Sequence, residues 1–193
     1  MQSALDPGLL RDLTEAKAAV ARHGIVIIRT IETELEPAII SSAKATMASS
    51  PRNMAKMKDD ELDRFTDGLR KAAMKSCSEL KDTYTRLLTR LGTENMKELE
   101  EDLEGIGALF SWDRISKASE DVDKRLAEKG FSPAKLQGPS DVSENFQIEL
   151  EQKWPEAFSR FKELASRAAS EIRNQEEQEK AEVARPKKRA RGR

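Results

Sequence analysis

The residue types that most often carry catalysis or bind metals are nearly absent from this sequence. Its 193 residues include one histidine, His23, and one cysteine, Cys77. A single histidine excludes every two-histidine metal site, and a single cysteine excludes an internal disulfide and a multi-thiolate zinc site. We therefore predict no catalytic residues, no metal ligands and no cofactor, and we expect that the chain is not an enzyme.

The few remaining candidates occupy positions that favour a structural role. His23 directly precedes Gly24, where we expect it to complement the dipole at the end of a helix. Cys77 lies in an apolar pattern, where we expect burial and no neighbouring base that would activate the thiol. Gly105 and Gly107 lack the preceding strand and the longer glycine pattern of a phosphate-binding loop, so we interpret them as a hinge between two helices.

Two groups of acidic residues, at 59–63 and 98–104, could in principle perform acid–base chemistry. One carboxyl group can act as the acid and another as the base only when burial makes their pKa values different. In the predicted helices these side chains lie on exposed faces, so we interpret both groups as solvated surfaces.

The last nine residues form a basic tail. They contain six bases and no acid: Arg185, Lys187, Lys188, Arg189, Arg191 and Arg193. Lys and Arg total 34 and Asp and Glu total 35, so residues 1–184 carry a net charge of −7. Lysine and arginine neutralise phosphates and release counterions, so we predict that the tail binds nucleic acid without reading its sequence. The alternative, that the tail only solubilises the chain, stays open.

The strongest periodic signal runs from residue 59 to residue 91. Apolar side chains recur there at intervals of three and four residues, which predicts one helix about 50 Å long. We call this face the apolar stripe, and its principal members are Leu62, Phe65, Leu69, Leu80, Tyr84, Leu87 and Leu91. A stripe of this length must pack against another helix, either in the same chain or in a second copy.

Two short segments have the pattern of strands. A first helix is expected over 7–22 and to end at Gly24, and the β-branched run that follows predicts a strand over 25–31. A lone strand cannot satisfy its backbone, and the alternating segment 146–150 is the available partner. The apolar residues around 146–150 also recur every four positions, as in a helix. A second helix is expected to begin near Pro37.

Together these patterns predict a mainly α fold. We expect an elongated antiparallel helical bundle or hairpin with at most one short β pair, formed by 25–31 and 146–150. The chain divides into an N-terminal helix–strand–helix segment (1–50), a helical hairpin or bundle core (59–130), C-terminal helices that pack on this core (141–174), and a charged disordered tail (175–193).

The first part of the chain also resembles a known family. Residues 13–28 combine a helical pattern with the run Arg22-His23-Gly24-Ile25-Val26-Ile27-Ile28, which is similar to the opening of phytanoyl-CoA-dioxygenase-type oxygenases. That resemblance implies an iron site formed by a later His-x-Asp motif and a distal histidine. No histidine follows His23, so neither the iron ligands nor the oxygenase activity carries over.

Three features favour a role in binding other molecules and not in catalysis. They are the scarcity of catalytic residue types, the apolar stripe and the basic tail. We expect a non-catalytic helical adaptor that associates through the stripe, as a homo-oligomer or complex subunit, and contacts nucleic acid through its tail. The alternative is an accessory or regulatory subunit docked on a larger enzyme. No apolar run approaches the roughly 20 residues that span a bilayer. We therefore expect a cytoplasmic protein, or a nuclear one in a eukaryotic host, with neither a membrane nor a small-molecule substrate as partner.

Overall fold

A computed structural model describes residues 5–184, and helices account for all the regular structure of this part of the chain. The α-helices are α1 (Pro7–Thr30), α2 (Glu36–Ala48), α3 (Pro51–Met54), α4 (Asp59–Leu91), α5 (Met96–Leu109), α6 (Trp112–Ile115), α7 (Glu120–Glu128), α8 (Glu144–Ile148) and α9 (Trp154–Ala184). Short π turns (Ile31–Leu35 and Glu149–Lys153) and 3₁₀ turns (Ser116–Ser119 and Pro139–Asp141) connect some of them. The mainly α class predicted from the sequence is confirmed.

The predicted β pair is not formed within the described residues. Segment 25–31 continues α1 into the first π turn, and segment 146–150 belongs to α8 and the second π turn. Ile27 and Ile31, four residues apart, are fully buried, whereas Ile25 is 45% exposed. The run therefore follows the helical period. Because the intrinsic preference of β-branched residues against a helix is below about 1 kcal/mol each, packing of the buried face outweighs it.

Gly24 does not end the first helix, contrary to the sequence prediction. Among the described residues the glycine with positive φ is Gly130, at 82°, which follows the end of α7. At Gly24 an added Cβ would lie only 2.6 Å from Cδ2 of Leu88. Glycine at this position therefore allows α4 to pack closely against α1.

A proline follows each π turn. Pro37 and Pro155 lie two residues after the turns end, and the helix is continuous through both turns. A proline ring inside an α-helix clashes with the carbonyl four residues earlier and removes one hydrogen bond, and the wider π turn relieves both effects. The helix expected to begin near Pro37 is therefore the continuation of α1.

One hydrophobic core joins the segments that the sequence analysis separates. Its buried members extend from Leu9 in α1 to Ala169 in α9. Helix α4 matches the predicted range 59–91 and packs on α1, α2 and α7. Helix α5 packs chiefly on α9, which also lies along α1. The core is therefore closed mainly by contacts between helices that are distant in sequence.

Residues 175–184, which the sequence analysis assigns to the disordered tail, form the last turns of α9. Their side chains are polar and largely exposed, as the sequence indicates. The remaining predicted tail, residues 185–193, lies outside the described part of the chain.

Candidate interaction surface

Helix α9 leaves the body of the protein before it reaches the basic tail. Its last buried residue is Ala169, and its last ion pair with the body joins Glu176 to Lys97 of α5. Every residue from 177 to 184 is exposed. Eight helical residues span about 12 Å, so the helix carries the chain about 12 Å into solvent before the tail begins.

A series of polar contacts aligns α9 with α5. Lys162 pairs with Glu104 at 3.2 Å (Nζ–Oε1), and the Ser166 hydroxyl donates to Glu100 at 2.8 Å. Glu100 also pairs with Arg173. The hydrogen bond from Ser166, together with the hydrogen bond and charge of Arg173, lowers the pKa of Glu100 against the opposing effect of burial. These contacts line a groove of about 850 Å³. Because the groups are largely exposed, each contributes about 0–1 kcal/mol, so together they direct the helix more than they stabilise the fold.

The acidic residues at 98–104 therefore form a surface that is partly neutralised by ion pairs within the chain. Besides Glu100 and Glu104, Asp102 pairs with Arg90 of α4. In the other acidic group, Glu61 pairs with Lys129 at 3.1 Å (Oε1–Nζ). The positions are those of a solvated face, as predicted, and their added role is to join neighbouring helices.

Four aromatic rings stack where α4, α5 and α9 meet. The centroid distances are 4.2 Å for Tyr84–Phe110, 4.4 Å for Phe110–Trp154 and 4.7 Å for Trp154–Phe158. The phenol of Tyr84 donates a hydrogen bond to the carbonyl of Leu109. Trp154 and Phe158 are both buried, so the stack anchors the first turn of α9 in the core.

Two glycines in α5 provide a matched test of this packing. An added Cβ at Gly107 would lie 2.6 Å from Cε1 of Phe158, whereas at Gly105 it would meet nothing within 4 Å. We expect Gly107→Ala to lower the free energy of unfolding by about 1–2 kcal/mol, because the stacked ring has little freedom to move. Gly105→Ala should raise it by about 0.5–1 kcal/mol through helix propensity. Urea denaturation followed by circular dichroism measures both, and equal effects of the two substitutions would contradict the packing at Gly107.

The structure places the seven members of the apolar stripe against helices of the same chain. Leu69, Tyr84, Leu87 and Leu91 are buried. Leu62, Phe65 and Leu80 are half-buried and pack against the core. The stripe therefore packs against helices of the same chain, which is one of the two arrangements that the sequence allowed. A second copy could reach the four buried side chains only by displacing intramolecular contacts.

His23 has a partner that the sequence analysis misses. It lies within α1, not at a helix end, and its Nδ1 is 3.0 Å from Oε1 of Glu149. Because a carboxylate only accepts, the Nδ1–H of His23 is the donor. Glu149 begins the second π turn and is only 7% exposed. A signal was present in the sequence: His23 lies three residues after Val20 and four before Ile27, on the buried face of α1.

Cys77 is buried in α4, as predicted, and burial raises the pKa of its thiol to about 12. A thiol with so high a pKa is neutral at physiological pH and is a poor nucleophile. Across the described residues, no group of three or more His, Cys, Asp or Glu side chains is arranged to hold a metal ion. No helix of residues 5–184 is long and apolar enough to cross a membrane.

The six bases of the basic tail, from Arg185 to Arg193, lie outside the described residues, so the structure brings none of them together. What it describes is the exposed helix that leads to them. No protein-family model matches the chain, and neither the curated proteins nor the solved structures contain a match. The function of the chain has therefore to be inferred from its own residues.

Proposed function

We propose that this protein is a non-catalytic helical adaptor that contacts nucleic acid through its basic tail. The observation that carries the proposal is the course of α9. After the ion pair at Glu176, two exposed helical turns separate the body from Arg185, the first base of the tail. A basic segment at the end of such an extension can approach a polyanion while the body stays in solvent.

The distribution of charge supports the same proposal. Residues 1–184 carry a net charge of −7. Residues 185–193 carry a net charge of +6, because they contain six bases and no acid. The negative body repels a polyanion, so the attraction is concentrated in the last nine residues. The tail contains no aromatic residue that could stack on bases. Binding is therefore electrostatic, independent of sequence and sensitive to salt.

The adaptor's association with a protein partner is a separate part of the proposal. The buried members of the apolar stripe pack against the chain's own helices, so association through them requires those contacts to open. The described surface retains a few exposed large apolar side chains, among them Ile25 and Val26 on α1 and Met74 on α4. These are available without any opening of the core.

The test of the tail compares the full chain with a variant in which all six tail bases are replaced by glutamine. Fluorescence anisotropy with a labelled 20-base-pair DNA should show at least tenfold weaker binding for the variant near physiological salt. For the full chain, the logarithm of the binding constant should fall with the logarithm of salt concentration with a slope up to about −5, since each neutralised phosphate contributes about 0.9.

A matched control removes the same charge from the body. Six exposed bases of the body are chosen from those that form no ion pair among the described residues: Arg22, Arg29, Lys44, Arg70, Arg86 and Lys124. Glutamine at these positions should weaken binding much less than glutamine in the tail. If the tail variant binds as tightly as the full chain, the tail is only a solubilising segment and the alternative of a docked accessory subunit is favoured.

A further inference from the structure

A small cleft lies between α4 and the turn formed by α6 and the adjoining 3₁₀ segment. Its volume is about 300 Å³, at the lower end of the range for small-molecule sites. It is separate from the basic tail and from the groove between α5 and α9. The side chains that matter are Arg114 and Lys117 on one wall and Ser76, Glu79 and Thr83 on the other.

The cleft carries positive charge without full compensation. Arg114 and Lys117 are three residues apart, so they project from the same face of the helical turn. Neither forms an ion pair within residues 5–184. The acid on the opposite wall, Glu79, is paired with Lys75 at 4.0 Å (Oε1–Nζ). Two cations and one acid therefore line the cleft, which leaves it with a net positive charge.

Neutral hydrogen-bonding groups complete the lining. The Ser76 hydroxyl has no hydrogen-bond partner in the described part of the chain. The Thr83 hydroxyl donates to the carbonyl of Glu79 at 2.9 Å, which leaves Ser76 as the free donor. Tyr84 forms part of the floor; burial raises the pKa of its phenol, and the charge of Arg114 acts in the opposite direction. Arg114 is therefore close enough to influence the floor of the cleft.

We propose that this cleft binds the dianionic phosphate group of a small solute, either inorganic phosphate or a phosphomonoester. A guanidinium can donate two parallel hydrogen bonds to phosphate oxygens, and an ammonium adds a point charge. Arg114 and Lys117 carry two positive charges, which match the two negative charges of the phosphate group. The Ser76 hydroxyl adds a neutral hydrogen-bond donor. The dianion matches this cleft better than a carboxylate, which has two oxygens and a single charge.

The test uses the full chain labelled with ¹⁵N and titrated with inorganic phosphate at pH 7.5. The amide resonances of residues 76–84 and 112–118 should shift and saturate, because these residues surround the cleft. Chloride at the same ionic strength should not produce the saturable shift. Arg114→Gln and Lys117→Gln should each weaken binding about tenfold, the loss expected for one charge-assisted hydrogen bond.

Two further measurements compare different phosphate compounds and control for the loss of one positive charge. Methyl phosphate, a monoester dianion, should bind about as well as inorganic phosphate, whereas dimethyl phosphate, a diester monoanion like the nucleic-acid backbone, should bind more weakly. Lys124→Gln removes one exposed charge outside the cleft and should leave the affinity unchanged. The proposal is overturned if phosphate gives no saturable shift beyond that of chloride, if dimethyl phosphate binds equally well, or if Lys124→Gln weakens binding as much as Lys117→Gln. None of these results bears on the basic tail, since the resonances report on the cleft alone.

Discussion

Replacement of Trp154 by alanine should lower the free energy of unfolding by about 3–5 kcal/mol, the range for loss of a large buried aromatic side chain. Trp154 is 2% exposed, and its ring lies between those of Phe110 and Phe158. Its removal leaves a cavity and separates the rings that join α9 to α4 and α5. Urea denaturation followed by circular dichroism measures the loss.

Two further variants make this prediction specific. Leu10 is 52% exposed, so Leu10→Ala should change the free energy of unfolding by less than about 0.5 kcal/mol. Trp154→Phe keeps a ring in the stack and should cost about 1–2 kcal/mol, so it reports on the packing even if the alanine variant does not fold. The indole N–H has no acceptor within the described residues, so its removal breaks no hydrogen bond there. A loss below about 1 kcal/mol for Trp154→Ala would contradict the stacked arrangement.

Replacement of His23 by leucine should lower the free energy of unfolding by about 2–3 kcal/mol. The substitution removes the donor that faces Glu149 and leaves a carboxylate that is only 7% exposed without that hydrogen bond. Removal of one partner of a buried pair costs about 3–5 kcal/mol. We expect a smaller value because the His23 side chain is 23% exposed and solvent can reach the site.

A double-mutant cycle separates the unpaired charge from lost packing. In His23→Leu/Glu149→Leu both polar partners are replaced by apolar groups, which is often neutral or stabilising. The double variant should therefore recover most of the stability lost in His23→Leu. If it is less stable than His23→Leu, the cost arises from packing at position 23 and the pair is not a coupled unit.

Local sequence pattern predicted the elements whose periodicity is long. The range 59–91 was predicted as one helix because its apolar residues keep a spacing of three and four over 33 residues. The signal comes from the segment itself, so no knowledge of its neighbours was needed.

The wrong predictions concern short segments for which a neighbour decides the outcome. The run at 25–31 was predicted as a strand from residue preferences, but the buried face of α1 continues through Ile27 and Ile31. Gly24 was predicted to end a helix and instead gives space to Leu88 of α4. His23 was assigned to a helix end and instead pairs with Glu149, 126 residues away. A pattern read within twenty residues gives no information on these contacts, because the partner residues lie farther along the chain.

Composition and local spacing were sufficient to predict the helical class, the range of α4, the scarcity of catalytic residue types and the separation of a negative body from a positive tail. These properties depend on composition and on spacing within single segments. Three features became visible only in the folded chain. The apolar stripe packs on the chain's own helices, Arg114 and Lys117 line a cleft together with Ser76, and α9 leaves the body after Glu176. Each of these depends on which helix faces which, and that choice is set by the packing of side chains far apart in the chain, where the free energy of one shared core outweighs local preference.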